Sequence, residues 1–293
     1  MTQFLRAILG GSVAFVWLIG AVPANADCLD QNGPCKIDMG EYHIMRPDGV
    51  QGDVPAVMFL HGYGGNGAGV YKNSGMVDAI LARGYALIAP SGRDEDGTEG
   101  KEWSFHPEFP ETRDETAFLR EVLDDAAAKY GIDRDRVLLA GFSIGGSMTA
   151  YAACEDPGLA SAYAPISGNF WRPHPTACAG PVRMLHTHGW TDVTVPLEGR
   201  YLGKPEGLET RIAQGDVFQA MQIWRATNGC DEMRADAFDM DDGDFWHRRW
   251  DRCTPGSALE FVLWPGTHAV PKGWADMALD WFEGLPDAIQ PRG

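Results

Sequence analysis

Residues 136–149 read Arg-Val-Leu-Leu-Ala-Gly-Phe-Ser-Ile-Gly-Gly-Ser-Met-Thr, and the change of texture at their middle decides the fold. Residues 136–140 form a short apolar run suited to a buried strand, and residues 146–154 are mostly small, suited to a helix packed closely on that strand. Between them, Gly141-Phe142-Ser143-Ile144-Gly145 leaves room for one sharp turn. A serine at the apex of such a turn projects its hydroxyl from the carboxyl edge of the sheet. The backbone N–H that follows it, here that of Ile144, then points at a bound carbonyl oxygen. The glycines are needed because a β-carbon beside the turn would strike the neighbouring strand or helix.

Upstream, residues 54–60 (Val-Pro-Ala-Val-Met-Phe-Leu) are a second buried strand, which runs into His61-Gly62-Tyr63-Gly64-Gly65-Asn66-Gly67. A helix is predicted over 75–82 and a strand over 85–89. Thr112-Arg113-Asp114-Glu115 reads as a capping box opening a helix with Phe118, Leu119, Val122, Leu123, Ala126 and Tyr130 on one face and Gly131 at its end. Strands are predicted at 162–166, 182–186 and 259–263, and helices at 217–227 and 274–282. Asp241-Asp242-Gly243-Asp244 reads as a hairpin turn, because Gly243 is misplaced for a calcium loop starting at Asp239. Strand and helix alternating in this way predict one α/β domain with a doubly wound, mostly parallel sheet, whose ligands bind at the carboxyl ends of the strands.

A serine hydroxyl is a poor nucleophile until a histidine takes its proton, and the histidine needs a carboxylate to fix its tautomer. His186-Thr187-His188-Gly189-Trp190-Thr191-Asp192 follows one strand and offers Asp192. Trp264-Pro265-Gly266-Thr267-His268 follows the last core strand and offers His268. The chain order Ser143, Asp192, His268 is that of α/β-hydrolases. Asp192 remains replaceable by another downstream acid, since loop aspartates commonly cap turns, and His186 and His188 lie on or beside a strand where one of them can be simply packed. The backbone N–H groups of Tyr63 and Ile144 are the candidate donors for a tetrahedral oxyanion. The glycine-rich loop has no Gly-Lys-Ser/Thr, which excludes a nucleotide P-loop.

Together, His61-Gly62 after a strand, the run from Gly141 to Met148, His188-Gly189-Trp190-Thr191-Asp192 and Gly266-Thr267-His268 resemble the secreted esterase family that includes poly(3-hydroxybutyrate) depolymerases, feruloyl esterases and acetylxylan esterases. The resemblance covers nearly the whole mature chain. It implies a triad of Ser143, Asp192 and His268, ester hydrolysis without a cofactor, and polyester oligomers or plant cell-wall esters as substrates. Asn228-Gly229-Cys230, with a cysteine in the following hairpin, is similar to that family too. Tyr63 stands where many depolymerases have cysteine, and Trp190 where a small residue is more usual, so both put a ring near the mouth. Trp190, Trp264 and Trp103 are the candidates for stacking on a feruloyl ring, a sugar or an apolar polyester repeat. An acyltransferase or serine peptidase on the same fold is the alternative activity, and an intact triad disfavours a non-catalytic binding module.

Residues 1–26 read as an export signal, with Arg6, a mostly apolar stretch over 7–20 and Ala24-Asn25-Ala26 before the cleavage point. The stretch is shorter than the ~20 residues a spanning helix needs. The mature part, 27–293, is then a catalytic domain delivered to the periplasm or the medium. Its net charge, −17 for the whole chain, disfavours nucleic acid and anionic membrane as partners. All six cysteines lie in the mature part. An exported chain favours disulfides, and proximity favours Cys28 with Cys35, Cys154 with Cys178 and Cys230 with Cys253 among the fifteen possible connectivities. No Cys-x-x-Cys pair or close Cys/His cluster suggests a metal.

Overall fold

The structure, a computed structural model, describes residues 28–29, 33–94, 96–108, 111–203, 212–240 and 243–285. The expected export signal over 1–26 and two turn residues, Asp241 and Asp242, lie outside them. The chain opens with an antiparallel pair, β1 (Cys35–Ile37) and β2 (Gly40–Met45). Then come β3 (Val54–Leu60), a one-turn α1 (Gly67–Val70), α2 (Ser74–Ala82) and β4 (Ala86–Pro90). α3 (Glu115–Tyr130) precedes β5 (Ile132–Phe142), α4 (Ile144–Glu155) and β6 (Ala162–Ile166). After a two-residue β7 (Trp171–Arg172) and β8 (Arg183–Gly189) come β9 (Tyr201–Gly203), β10 (Ile212–Gln214) and α5 (Val217–Thr227). The hairpin β11 (Ala237–Asp239) and β12 (Trp246–Trp250) leads to β13 (Ala258–Trp264) and α6 (Trp274–Glu283).

The strands form a ten-stranded sheet in the order β1-β2-β4-β3-β5-β6-β8-β13-β12-β11. From β4 through β13 every neighbouring pair is parallel, and the outer strands on both sides are antiparallel. Successive side chains of a strand face opposite sides, so each central strand feeds two cores. Ala56, Met58, Leu60, Val137 and Leu139 pack under α3, α4 and α5, while Val57, Phe59, Leu138 and Ala140 pack under α2 and α6. The sheet is thus wound on both faces, and β3, β4, β6 and the inner half of β5 are apolar on both sides, as buried parallel strands commonly are. A separate small sheet, β7-β10-β9, lies in the segments that follow β6 and β8. Among the described residues no helix is long and apolar enough to cross a membrane.

Several boundaries differ from the sequence reading for local reasons. α3 is capped by Asp114, which accepts from the Ala117 N–H, and not by Thr112. Thr112 is tied instead to Ser104 through both its hydroxyl and its N–H, and Glu115 pairs with Arg113 at 2.8 Å in the interior. Gly131 ends α3 in the left-handed region at φ 59°, where glycine carries no β-carbon penalty. Strand β8 runs three residues beyond the expected 186 and takes in His188.

The cysteines pair as expected: Cys28 with Cys35, Cys154 with Cys178, and Cys230 with Cys253. The last bridge joins the end of α5 to the approach of β13, closing a sequence separation of 23. A loop of that size is worth about 3 kcal/mol in the chain-entropy view. Replacing both Cys230 and Cys253 by serine is therefore expected to lower Tm by roughly 5–10 °C in calorimetry; an unchanged Tm would mean that the bridge constrains nothing.

Candidate active site

Ser143 occupies the tight connection between β5 and α4 at φ 60°, ψ −122°, a region that L-residues avoid at a cost of about 1–3 kcal/mol. The turn is held from both sides. The Ser143 N–H donates to Ile166 O at 2.9 Å, and Ser143 O accepts from the Ser147 N–H at 2.9 Å. The glycines permit the approach of strand, turn and helix: a β-carbon on Gly141 would lie 2.3 Å from Gly145 O, and one on Gly145 2.3 Å from Leu60 O. Alanine at either position would push the turn off the sheet.

Asp192 and His268 reach the same place from the ends of β8 and β13, which are parallel neighbours. Their loops stay bonded beyond the strands. Trp190 N–H donates to Trp264 O at 2.8 Å, and Thr191 donates to Gly266 O through both its N–H and its hydroxyl, each at 3.0 Å. His268 Nδ1 lies 2.7 Å from Asp192 Oδ2, and His268 Nε2 lies 2.9 Å from Ser143 Oγ. A carboxylate on Nδ1 requires the proton there, which leaves Nε2 bare to accept from the serine hydroxyl. Asp192 is 4% exposed. Burial pushes its carboxyl up, but His268 and the Val195 N–H outweigh that and hold it below the ordinary carboxylate value. The carboxylate is therefore ionised wherever the imidazole can act as a base.

The early loop stands beside the serine. A β-carbon built on Gly62 would lie 3.4 Å from Ser143 Cβ. His61 is buried, and its Nε2 accepts from the Gly92 N–H at 2.9 Å. The ring proton is then on Nδ1, which donates to Gly62 O at 2.8 Å. The same carbonyl accepts from the Gly65 N–H at 3.0 Å. Because the carbonyl of a trans peptide points opposite to its N–H, two bonds on Gly62 O aim the Tyr63 N–H away from the loop's interior. Among the described residues, neither the Tyr63 nor the Ile144 N–H is used in a turn or loop hydrogen bond.

Burial lowers the His61 pKa to about 4, so the ring stays neutral through mildly acid conditions. The unfolded chain binds that proton near pH 6.5. Stability is therefore fully present above about pH 6.5 and declines as pH falls toward 4, by on the order of 3 kcal/mol from this one group. His43, His106 and His174 are lowered by burial in the same sense. Tm is expected to fall steadily between pH 7 and pH 4.5, and a Tm that rises over that interval would contradict the buried, neutral histidines.

The family model for phospholipases and carboxylesterases matches residues 48–212. This chain belongs to the phospholipase/carboxylesterase family. It is 32% identical over 152 residues to the putative esterase NocK of Nocardia uniformis subsp. tsuyamanensis, covering 50% of this chain and 42% of that one. It is 28% identical over 153 residues to the bifunctional acetylxylan esterase/xylanase XynS20E of Neocallimastix patriciarum, covering 52% and 21%. The match to feruloyl esterase B of Piromyces equi is 26% over 202 residues, covering 64% and 35%. The chain thus matches between about a fifth and two fifths of the length of these curated relatives. Among solved structures, the acetyl xylan esterase from Aspergillus awamori superposes with a TM-score of 0.62 at 18% identity, covering 83% of this chain and 93% of that one. That likeness establishes the α/β-hydrolase fold.

The aromatic residues singled out from the phospholipase/carboxylesterase sequence divide three ways. Trp190 is 55% exposed, edge-on to Trp246 at 6.4 Å, two residues from Asp192. Trp264 is half-buried, and its ring covers Gly266, so closely that a β-carbon there would sit 1.7 Å from it; it braces the loop leading to His268. Trp103 is a correction: it is only 4% exposed, its Nε1–H donates to His61 O at 3.0 Å, and its ring lies 4.9 Å from the His61 ring. It supports the early loop and offers no face to a ligand. The part played by His61 has only a faint trace in the sequence, a histidine between a buried strand and a glycine-rich loop.

Proposed function

We propose that the protein hydrolyses carboxylic esters, with Ser143 as nucleophile, His268 as general base and then general acid, and Asp192 as the carboxylate that orients it. One observation carries the reading: the unbroken line from Ser143 Oγ through His268 to Asp192 Oδ2, at 2.9 and 2.7 Å. In the forward step Ser143 Oγ attacks the ester carbonyl carbon while its proton passes to His268 Nε2. The carbonyl oxygen, now negative, is received by the N–H groups of Tyr63 and Ile144, each donor being worth about 3 kcal/mol of transition-state stabilisation. His268 returns the proton to the leaving alkoxide, an acyl-Ser143 ester remains, and water activated by the same imidazole releases the acid.

The chain is read as an export signal over 1–26 and one catalytic domain over 27–293, and the three disulfides favour an oxidising destination outside the cytoplasm. The relatives named for acetylxylan and feruloyl esters favour plant cell-wall esters as substrates, with hydroxybutyrate oligomers next. Trp190 and Tyr63, 55% and 74% exposed, supply rings near the serine for an aryl or sugar group. The test is a panel of p-nitrophenyl esters of increasing acyl length, methyl ferulate, acetylated xylan and hydroxybutyrate oligomers. Turnover of acetyl or feruloyl esters is expected. Failure on every ester, with fluorophosphonate leaving Ser143 unlabelled, would overturn the proposal.

A further inference from the structure

Strand β8 carries two histidines at a depth where a parallel sheet ordinarily holds aliphatic residues. His186 and His188 are 1% and 0% exposed, and their ring planes lie within 4° of parallel with centroids 5.4 Å apart. His188 Nε2 lies 2.7 Å from Val195 O. A carbonyl only accepts, so that nitrogen carries the proton, and a neutral ring then leaves Nδ1 bare. His186 Nε2, 3.1 Å from His188 Nδ1, must be the donor to it. Burial holds both imidazoles below their ordinary pKa and keeps them neutral. The direction of the chain is therefore set: His186 donates to His188, and His188 donates to Val195.

Val195 passes the constraint on. Its own N–H donates to Asp192 Oδ1 at 2.8 Å, beside the Thr194 N–H at 2.9 Å. His188 Nε2 is 3.7 Å from Asp192 Oδ2, beyond bonding range, which leaves that oxygen to His268. Burying two imidazoles costs more than burying two leucines. What the pair adds to the fold is one directed bond onto the turn that carries Asp192.

We propose that His188 is a positioning residue for Asp192, with His186 holding its donor tautomer: the bond to Val195 pins the 192–195 turn so that one Asp192 oxygen meets the Val195 amide and the other meets His268. This rests on reading Asp192 as the triad acid.

The test measures kcat and KM on the best p-nitrophenyl ester. His188→Leu is expected to lower kcat about 100-fold with KM within about twofold, as a small misplacement of a catalytic group does. His188→Gln, whose amide N–H reaches close to the position of Nε2, is expected to recover most of that loss. On an Asp192→Asn background His188→Leu should cost less than about twofold, because the two residues act through one another. If His188→Leu does not fold, His188→Asn takes its place with the same expected loss, since its shorter amide reaches His186 but not Val195. A fully active His188→Leu enzyme, an equal loss on both backgrounds, or no recovery with glutamine overturns the inference. Ser143→Ala and Asp192→Asn run alongside. If either keeps parental activity the catalytic reading itself fails, whereas their loss beside an unaffected His188→Leu removes only the role of His188.

Discussion

Ser143→Ala is expected to abolish ester hydrolysis while leaving the folded state intact. Among the described residues the Ser143 hydroxyl makes one side-chain bond, to His268 Nε2, and the turn around it is held by backbone bonds that alanine keeps. Alanine meets the same conformational cost at φ 60° as serine does, so the elbow has no reason to rearrange. Removing a serine nucleophile of this kind lowers kcat by about 10⁶-fold, leaving only the contribution of binding and of the oxyanion donors. Turnover by the purified variant, checked against its melting curve and its failure to react with fluorophosphonate, decides the matter. A loss smaller than about tenfold would remove Ser143 from the mechanism.

His268→Ala should match that loss, and the Ser143→Ala/His268→Ala double variant should be no worse than either single one, because the groups act as a unit. Asp192→Asn is expected to fall short of them, at about 10⁴-fold. The reason lies in the two faces of the carboxylate. Its Oδ1 is taken by the Thr194 and Val195 N–H groups, which an amide oxygen also satisfies. The amide nitrogen then faces His268 Nδ1 and demands a bare nitrogen there, which puts the ring proton on Nε2, where Ser143 needs an acceptor. Steady-state kinetics of the three single variants and the double one test this. Losses that multiply in the double variant would mean that Ser143 and His268 act independently.

The parts of the fold legible from sequence were those where burial leaves an unambiguous trace. β3 and the core of β5 are continuous apolar runs because both faces of a parallel strand are covered, β13 is apolar but for Glu260, and the glycines around Ser143 are forced by close approach. The upper half of β8 left no such trace. Thr187 and His188 interrupt the apolar pattern, so the strand reads as ending at 186; the bonds that make His188 tolerable, to His186 and Val195, exist only in the folded chain. Trp103 is illegible in sequence for the same reason. Its burial depends on a hydrogen bond to His61 O, 42 residues away in sequence. The cap of α3 lies two residues beyond the one the capping-box pattern points to, because Thr112 and Asp114 are both capping types and only the fold shows that Thr112 is bonded to Ser104. The short strands β7, β9 and β10 are too brief to carry any period.

The bonds that continue from β8 and β13 into the Asp192 and His268 loops bear on how a chain of this kind can diversify. From Pro196 to Ser257 the chain runs from the carboxyl end of β8, by way of α5 and the β11–β12 hairpin at the edge of the sheet, to the start of β13, and the carboxyl ends of β8 and β13 are fastened to each other directly. The spacing of Asp192 and His268 is thereby independent of the length of that excursion. Loops can be lengthened, trimmed or exchanged there while the proposed acid and base keep their spacing, much as a tool holder accepts a new bit while the drive stays aligned.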